Sequence, residues 1–363
     1  MRRCPTLLVA GCAALLGGCS GGVLDPAGDV ALQQRNLLGI ATALMLLVVV
    51  PVMAATVLFA WRYRAGNAGA TYDPDFDHST GLELLIWSVP LLIVIVIGAV
   101  TWTSTHLLDP FRPLDRIAAG KPLAANAPHL EVQVVAMDWK WLFILPEQGI
   151  ATVNELALPV DVPVRFRITS VSQMSTFYAP TMAGMIYAMP GMESTLHAVL
   201  NRPGESWGYS GNYTGAGHSD HRFRLRGMDR AGFDRWVAHV KGGQPLAVPA
   251  YLQLEKPSEK VPALRFGRVQ SDLFARIVNR CVRPNTPCMS DTMRGDMRRG
   301  GGDPGNARLG SGTMPGRGTT GDKPVPALQK NPEAGSGSRA PKPAGPGPRE
   351  RDTTALPPRG AHA

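Results

Sequence analysis

Two long runs without a charged residue constrain this chain most. Residues 36–61 and 84–108 contain no Asp, Glu, Lys or Arg. As helices they would extend over roughly 37–39 Å, more than the hydrocarbon core of a bilayer, which is about 30 Å thick. The prolines within them are tolerable, because neighbouring helices can satisfy the carbonyl groups that a proline leaves free. The sequence therefore predicts two transmembrane helices, residues 36–61 and 83–108, joined by a loop at 62–82.

The first residues predict export and a lipid anchor. Two arginines precede an apolar stretch that is too short to span a bilayer, as in a secretory signal peptide. The stretch ends in Leu16-Gly17-Gly18-Cys19, and small residues before a cysteine are typical of a lipoprotein signal. We predict that residues 1–18 are removed and that Cys19 is lipidated, at the start of an arm over 19–35. An ordinary signal peptide that contains a cysteine is the alternative.

Export of the N-terminus also sets the direction of the two spans. Lys and Arg flank both ends of the hairpin and do not decide it. With Cys19 outside, the loop 62–82 is cytoplasmic and the chain after about residue 108 is periplasmic. The expected location is the bacterial inner membrane, with a large periplasmic domain.

The pattern changes to period two in the region 128–255, after a linker at 109–127. In "VPVRFRIT", residues 162–169, four apolar side chains alternate with Arg165 and Arg167. Such alternation between Pro/Gly turns predicts an all-β antiparallel sandwich or barrel with one buried face per sheet. A short helical arm is expected at 256–283.

The C-terminal residues 284–363 are predicted to be disordered. Roughly a third of them are Gly or Pro, which is a disordered composition. They carry twelve Lys/Arg against seven Asp/Glu, so they supply about half of the net charge of +9. A basic tail behind membrane spans does not indicate nucleic-acid binding. Cys281 and Cys288 would lie on the exported side, where they either pair or stay as two free thiols.

Four stretches of the sequence carry a resemblance to a known family: "VLDPAGDVALQQRNLL", "HSTGLELLIWSVP", "MDWKWLFILPEQGIATVNEL" and "IYAMPGMESTLH". They resemble subunit II of the haem–copper terminal oxidases, and within that superfamily the cytochrome bo-type ubiquinol oxidases. The resemblance covers about residues 19–283 and implies a cupredoxin-like sandwich. It also implies membership of a proton-pumping quinol oxidase of the aerobic respiratory chain.

The resemblance further implies that the outer domain holds no copper. In the cytochrome c oxidase branch, two loops supply the ligands of a dinuclear copper centre, and its two thiolates bridge the metals. Here Ser175 stands at the histidine position of the first loop. In "SGNYTGAGHSDHRF", residues 210–223, the two cysteine positions hold Tyr213 and Gly217, and only His221 is in register. We expect Arg224, at the methionine position, to direct a positive charge into the former pocket. A surface metal pair of His218 and His221 is the alternative.

Other aromatic and sulfur-bearing residues are expected to pack rather than to bind metal. Trp139 and Trp141, at period two, favour a role in the sandwich core. The methionines at 182, 185, 189 and 192 suit packing against surfaces. For Met289, Met293 and Met297, loose binding of Cu(I) is a further alternative.

Glu83 is the candidate proton-path residue. It lies at the cytoplasmic start of the second span, and Trp87 and Pro90 follow it on one helical face. The resemblance implies a glutamate near the mouth of a proton channel in subunit I. The alternative is a carboxylate that only stabilises the helix N-terminus.

The resemblance gives the chain no catalytic residue, metal or cofactor of its own. Haems, the oxygen-reducing copper and ubiquinol would belong to subunit I, and the expected partners are subunit I, smaller membrane subunits and membrane lipid. A copper-binding subunit II of a cytochrome c oxidase and a membrane-tethered cupredoxin-like binding protein are the alternatives.

Overall fold

Two apolar helices open the fold. The structure, a computed structural model, describes residues 22–67, 69, 76–124 and 127–299. Helices α1 (Asp29–Arg62) and α2 (Thr80–Leu107) are long and apolar enough to cross a membrane, with mean hydropathies of 2.7 and 2.6. The two predicted membrane helices are thereby confirmed. The predicted signal peptide, Cys19 and residues 300–363 lie outside the described residues.

Helix α1 begins seven residues before its predicted start, and this extension joins it to the outer domain. Its 34 residues extend over about 51 Å, well beyond a bilayer core. Asp29 and Ala31 in its first turn are buried, and the Asp29 carboxylate accepts from Arg116 Nε at 2.8 Å. Just before it, Ala27 N donates to Thr181 O at 2.7 Å. A Cβ on Gly28 would overlap the carbonyl oxygen of Val199, so only glycine permits this close approach.

The outer domain is a sandwich of two sheets, preceded by a hairpin of β1 and β2. The seven-stranded sheet has the order β10-β7-β3-β4-β5-β14-β13, and the five-stranded sheet has the order β6-β12-β11-β8-β9. The strands are β1 (Arg116–Ala118), β2 (Lys121–Pro122), β3 (Leu130–Met137), β4 (Lys140–Leu145), β5 (Ile150–Val153), β6 (Glu155–Pro159), β7 (Pro163–Ser170), β8 (Ser175–Tyr178), β9 (Ile186–Ala188), β10 (Ser194–Val199), β11 (Gly204–Ser210), β12 (Arg222–Met228), β13 (Gln244–Leu246) and β14 (Leu264–Val269).

The predicted sandwich is confirmed, but its predicted antiparallel pairing is only partly right. Strands β3 and β7, β6 and β12, and β13 and β14 run parallel. Alternating apolar residues reveal a buried face but carry no information on the direction of a neighbouring strand. The pairs β3/β7 and β6/β12 arise where the chain crosses between the sheets before it returns, and β13 and β14 are parallel because helix Val248–Glu255 connects them within one sheet.

The core between the sheets follows the predicted alternation. Val164, Phe166 and Ile168 on β7 are buried, and the arginines between them are half-buried on the other face. Phe177 and Phe223 stack at the centre with ring centroids 5.4 Å apart. Burying one such ring contributes about 2–3 kcal/mol, so the aromatic centre is a large part of what holds the sheets together.

A second apolar cluster covers the outer face of the seven-stranded sheet. Helices α3 (Arg230–Lys241), α4 (Val248–Glu255) and α5 (Leu273–Val278) follow the sandwich. Tyr251, Leu273 and Phe274 are buried there against Leu142 and Ile144 of β4. The expected short helical arm at 256–283 is wrong in one respect, because β14 adds a strand to the sheet beside β5. Its sequence, "LRFGRV", loses the apolar alternation at Gly267 and Arg268, so it does not stand out as a strand.

The start of the predicted tail is ordered in the structure. Cys281 and Cys288 form a disulfide, which resolves the alternatives left open by the sequence. Helix α6 (Met289–Arg299) follows it directly. The predicted boundary of disorder at 284 is therefore wrong for residues 284–299. The disulfide closes a short loop directly before the helix. A high content of Gly and Pro does not reveal such a covalent constraint, so composition alone predicted disorder here.

Candidate functional site

The candidate site is the loop at residues 211–221, which joins β11 to β12 at one end of the sandwich. Ser210 N donates to His221 O at 3.0 Å and closes the base of the loop. The carbonyl oxygen of Thr214 accepts from Trp139 Nε1 at 2.7 Å and from Gln173 Nε2 at 2.8 Å. The loop is therefore fixed to the two loops next to it.

His221, the one residue in register with a copper ligand, is part of the core. Its side chain is 1% exposed, and its ring stacks on Trp141 with centroids 4.7 Å apart. Its Nδ1 atom lies 3.3 Å from the hydroxyl of Thr214, and among the described residues its Nε2 atom has no hydrogen-bond partner. Burial, reinforced by His218, lowers the pKa of His221 to about 4. The ring is therefore neutral near pH 7.

The other ligand positions hold side chains that do not replace the missing groups. His218 shares the Thr214 hydroxyl with His221, at 3.3 Å from Nδ1, and is half-buried. Tyr213 is 77% exposed and points away from the core, and Ser175 is buried at the start of β8. In the part of the chain that the structure describes, no group of three or more His, Cys, Asp or Glu residues converges as a metal site.

Trp139 occupies the space beside the second former cysteine position. A Cβ atom on Gly217 would lie 2.5 Å from Cδ2 of this indole, well inside van der Waals contact. The backbone of Trp139 has a φ of 62°, an unusual value for a bulky residue, and the hydrogen bond to Thr214 helps to hold it. A thiolate at 217 would need the indole to move. In this chain the indole of Trp139 takes up the space next to Gly217.

The prediction that Arg224 directs its charge into the pocket is wrong. Strand alternation places Phe223 and Leu225 inside, and Arg224 on the outer face. There its guanidinium carbon lies 5.5 Å from the ring centre of Trp207, and its Nε atom lies 4.0 Å from the Glu205 carboxylate. Assigning a residue to a ligand position by spacing does not determine which face of a strand it takes.

Carboxylates partly neutralise the arginine charge on this outer face of β12. The buried carboxylate of Glu155 pairs with Arg226 at 3.0 Å and with Arg265 at 3.0 Å. Arg226 also pairs with Glu205 at 2.9 Å. Two carboxylates thus offset part of the arginine charge on this face.

Lys140 is a residue that the sequence analysis missed. It is fully buried between the two tryptophans in sequence, and its Nζ atom donates to Ser258 Oγ at 2.6 Å and to Lys256 O at 2.8 Å. Burial lowers the pKa of Lys140. This ammonium ties the segment after α4 to the base of the site. The available signal was a lysine directly before the continuous apolar run of β4, in which every residue is buried.

Glu83 lies where the sequence places it, in the first turn of α2. Its carboxylate Oε1 atom lies 2.8 Å from Nδ1 of His78, and both side chains are exposed at that end of the helix. Trp87, one turn further on, is also exposed. Glu83 is remote from the loop at 211–221. It lies in the first turn of α2, whereas the sandwich follows the C-terminal end of that helix.

The chain is similar in sequence to known proteins. A family model described as the COX Aromatic Rich Motif matches residues 241–285. Cytochrome bo(3) ubiquinol oxidase subunit 2 of Pseudomonas putida is 47% identical over 267 residues, which cover 73% of this chain and 82% of that protein. Ubiquinol oxidase subunit 2 of Acetobacter aceti is 43% identical over 286 residues, 78% of this chain and 90% of that protein.

Among solved structures, the periplasmic domain of subunit II of cytochrome oxidase from Bradyrhizobium japonicum matches at 20% identity with a TM-score of 0.31. The match covers 33% of this chain and 98% of that domain.

Proposed function

Because the chain belongs to the family of cytochrome bo(3) ubiquinol oxidase subunit 2, we propose that it is the non-catalytic, copper-free subunit II of a proton-pumping quinol oxidase. In this role it braces the membrane core of subunit I and caps its outer face. Subunit I carries the haems and the oxygen-reducing copper, takes electrons from ubiquinol and reduces oxygen to water. Smaller membrane subunits complete the complex.

The loop at 211–221, where Trp139 packs against Gly217, is the observation that carries this proposal. A mixed-valence dinuclear copper centre needs two bridging thiolates and imidazole partners. Positions 213 and 217 hold Tyr and Gly, and the indole of Trp139 lies over Gly217. The remaining imidazole, His221, is stacked in the core. Without copper in this domain, electrons have to enter the complex at subunit I from a donor dissolved in the membrane.

The contacts between α1 and the sandwich support the bracing role. The buried carboxylate of Asp29 pairs with Arg116, and the backbone before it bonds to Thr181 and to Asn201. These contacts couple the first turn of the membrane hairpin to the outer domain. A subunit built this way can hold a domain at a set position above the membrane.

Two alternatives fit the residues less well. A copper-binding subunit II of a cytochrome c oxidase would need sulfur at positions 213 and 217, where this chain has none. A free-standing tethered cupredoxin-like protein would need only a lipid or one helix as an anchor. The alignment with the Acetobacter relative extends over 78% of the chain, and so over far more than the outer domain.

The placement in the membrane is part of the same proposal. Residues 1–18 are removed on export, Cys19 is lipidated, and both spans lie in the bacterial inner membrane with the sandwich in the periplasm. Glu83 then lies at the cytoplasmic surface, where its carboxylate, beside His78, collects protons for a channel in subunit I.

The proposal is tested on the chain purified from its native membrane. Haem and quinol-driven oxygen uptake should co-purify with it. Metal analysis and near-infrared absorption of the isolated full-length chain, after loading with copper, test the vacated site. Two coppers per chain with the near-infrared band of a mixed-valence centre would favour the cytochrome c oxidase alternative. Recovery without haem or oxygen uptake would favour a free-standing protein.

A further inference from the structure

The first methionine of α6, Met289, lies against the distant turn that contains Gly191 and Met192. The Cys281–Cys288 disulfide precedes this helix, and Met289 N donates to Asn279 O at 3.0 Å. A Cβ atom on Gly191 would lie 3.2 Å from the sulfur of Met289. Met192 is the next residue in the chain, and consecutive Cα atoms are about 3.8 Å apart. The long side chain of Met192 can therefore reach the same point as the sulfur of Met289.

Helix α6 adds further thioethers along one stripe. Its sequence, "MSDTMRGDMRR", has methionine at every fourth position: Met289, Met293 and Met297. Because a helix turns about 100° per residue, each step of four residues drifts by only about 40°. Cβ atoms four residues apart are about 5–6 Å from each other, so neighbouring side chains can direct their sulfurs to a common atom.

These methionines are not core residues in the described part of the chain. Met192 is 55% exposed, Met293 is 51% exposed and Met297 is 73% exposed. The eleven-residue helix also contains Gly295, which weakens it by about 1 kcal/mol relative to alanine. A short helix of this kind gains little from exposed thioethers, so packing does not account for their spacing.

We propose that Met192, Met289 and Met293 bind one Cu(I) ion. Met297 lies one helical turn beyond Met293 and is not one of the three proposed ligands. Thioether sulfur is a soft, neutral ligand that selects Cu(I) over hard divalent cations. The nearby cysteines are joined to each other and offer no thiolate. No electron transfer is involved, because the ion enters and leaves as Cu(I).

This site is separate from the loop at 211–221 and goes beyond the proposed function. It holds a single ion as cargo at the surface, whereas the vacated pocket would have held a dinuclear cofactor. Its ligands also do not titrate. A thiolate or imidazole site loses metal as the pH falls and its ligands take up protons, and a thioether site does not.

The test uses the full-length chain in detergent, purified without a histidine tag and kept anaerobic with ascorbate. Cu(I) is titrated in competition with bicinchoninate. We expect one Cu(I) per chain, with the same affinity at pH 7 and pH 5.5. Met192→Leu/Met289→Leu/Met293→Leu should bind at least about tenfold more weakly, since leucine keeps the volume and removes the donor. Met192→Leu/Met293→Leu changes only exposed side chains and should weaken binding in the same direction.

The matched control is Met174→Leu/Met185→Leu, which removes two similarly exposed methionines elsewhere on the sandwich. It should bind Cu(I) as the original chain does. The proposal is wrong if the original chain does not compete for Cu(I), or if both variants of the Met192 site retain full affinity. It is also wrong if the control loses the ion, or if affinity falls between pH 7 and pH 5.5 as expected for imidazole ligands.

Discussion

His221 stacks on Trp141 with ring centroids 4.7 Å apart and an interplanar angle of 27°. The same indole forms T-shaped contacts with Phe177 and Phe223, with ring centroids 5.5 and 5.8 Å apart. An imidazole at a position that carries a copper ligand in the cytochrome c oxidase branch is thus built into an aromatic core. Aromatic pairs of this kind contribute about 0.5–1.5 kcal/mol beyond the area that they bury. His221 therefore has a structural role that is independent of any metal.

The buried imidazole predicts a loss of stability in acid. Because the pKa of His221 is lowered from 6.5 to about 4 in the folded chain, the unfolded chain binds the proton more readily. The contribution is complete above pH 6.5 and is lost as the pH falls from 6.5 towards 4, by at most about 3 kcal/mol. The midpoint of thermal unfolding, followed by tryptophan fluorescence, should fall across this window.

His221→Phe keeps a ring on Trp141 and removes its titration, so it should make the pH dependence between 4 and 6.5 shallower, while His197, whose pKa burial also lowers, still contributes. His239→Gln changes an exposed histidine on α3 and is the matched control, with the slope of the original chain. Equal slopes in His221→Phe and the original chain would contradict the assignment of this pH dependence to His221.

The contact of Gly217 with Trp139 predicts that Gly217→Ala is destabilising. A new methyl group would lie 2.5 Å from the indole, and overpacking of this kind costs about 1–3 kcal/mol. The backbone at Gly217 has a φ of −89°, which any residue can adopt, so the cost is steric. The measurement is the free energy of unfolding of the outer domain in the full-length chain.

Gly242→Ala is the control for this substitution. Its nearest atom would be His239 O at 3.4 Å, an ordinary contact, so it should cost much less. In a Trp139→Ala background the penalty of Gly217→Ala should shrink, because the ring that it meets is gone. Undiminished cost in that background would show that Trp139 is not what excludes a side chain at 217.

The spans, the sandwich and the core position of Trp141 could be predicted from sequence because each has a repeating pattern. A run of apolar residues or an alternation persists whatever lies around it. His221 was placed in the correct loop by the spacing of a copper motif. Its stacking in the core could not be predicted, because it depends on how β4, which carries Trp141, packs against the loop that carries His221.

The errors concern properties that no local pattern encodes. The side of β12 on which Arg224 lies depends on strand register, and the parallel pairing of β3 with β7 depends on how the chain crosses between sheets. The burial of Lys140 depends on acceptors contributed by a segment more than a hundred residues later. The order at 284–299 depends on a disulfide that spacing alone left undecided.

The pair formed by Glu83 and His78 leads to a prediction on proton uptake. Glu83→Gln should slow quinol-driven oxygen uptake by about twofold or more without abolishing it, because a surface carboxylate raises the local proton concentration. The effect should grow as the pH rises and free protons become scarce. Oxygen uptake by the intact complex is measured from pH 6 to pH 8.5.

Glu83→Asp keeps the charge and should recover most of the rate. His78→Gln removes the hydrogen-bond partner at 2.8 Å but keeps the carboxylate, and serves as the second comparison. If Glu83→Gln matches the original complex at every pH, Glu83 serves only the N-terminus of α2, where a negative charge is favourable.

We expect membrane attachment not to depend on the proposed lipidation of Cys19, because the chain has two long apolar helices. Mass spectrometry of the membrane form should find Cys19 as the first residue with its acyl chains, and residues 1–18 absent. A pair of acyl chains anchors a protein reversibly, whereas a membrane-spanning helix inserts almost irreversibly. Cys19→Ser should therefore remain in the membrane fraction after a high-salt wash, and haem should still co-purify with it.

Detecting residues 1–18 on the mature chain would show that the N-terminus is not processed as a lipoprotein. Release of Cys19→Ser into the soluble fraction would instead mean that α1 and α2 do not hold the chain in the bilayer by themselves.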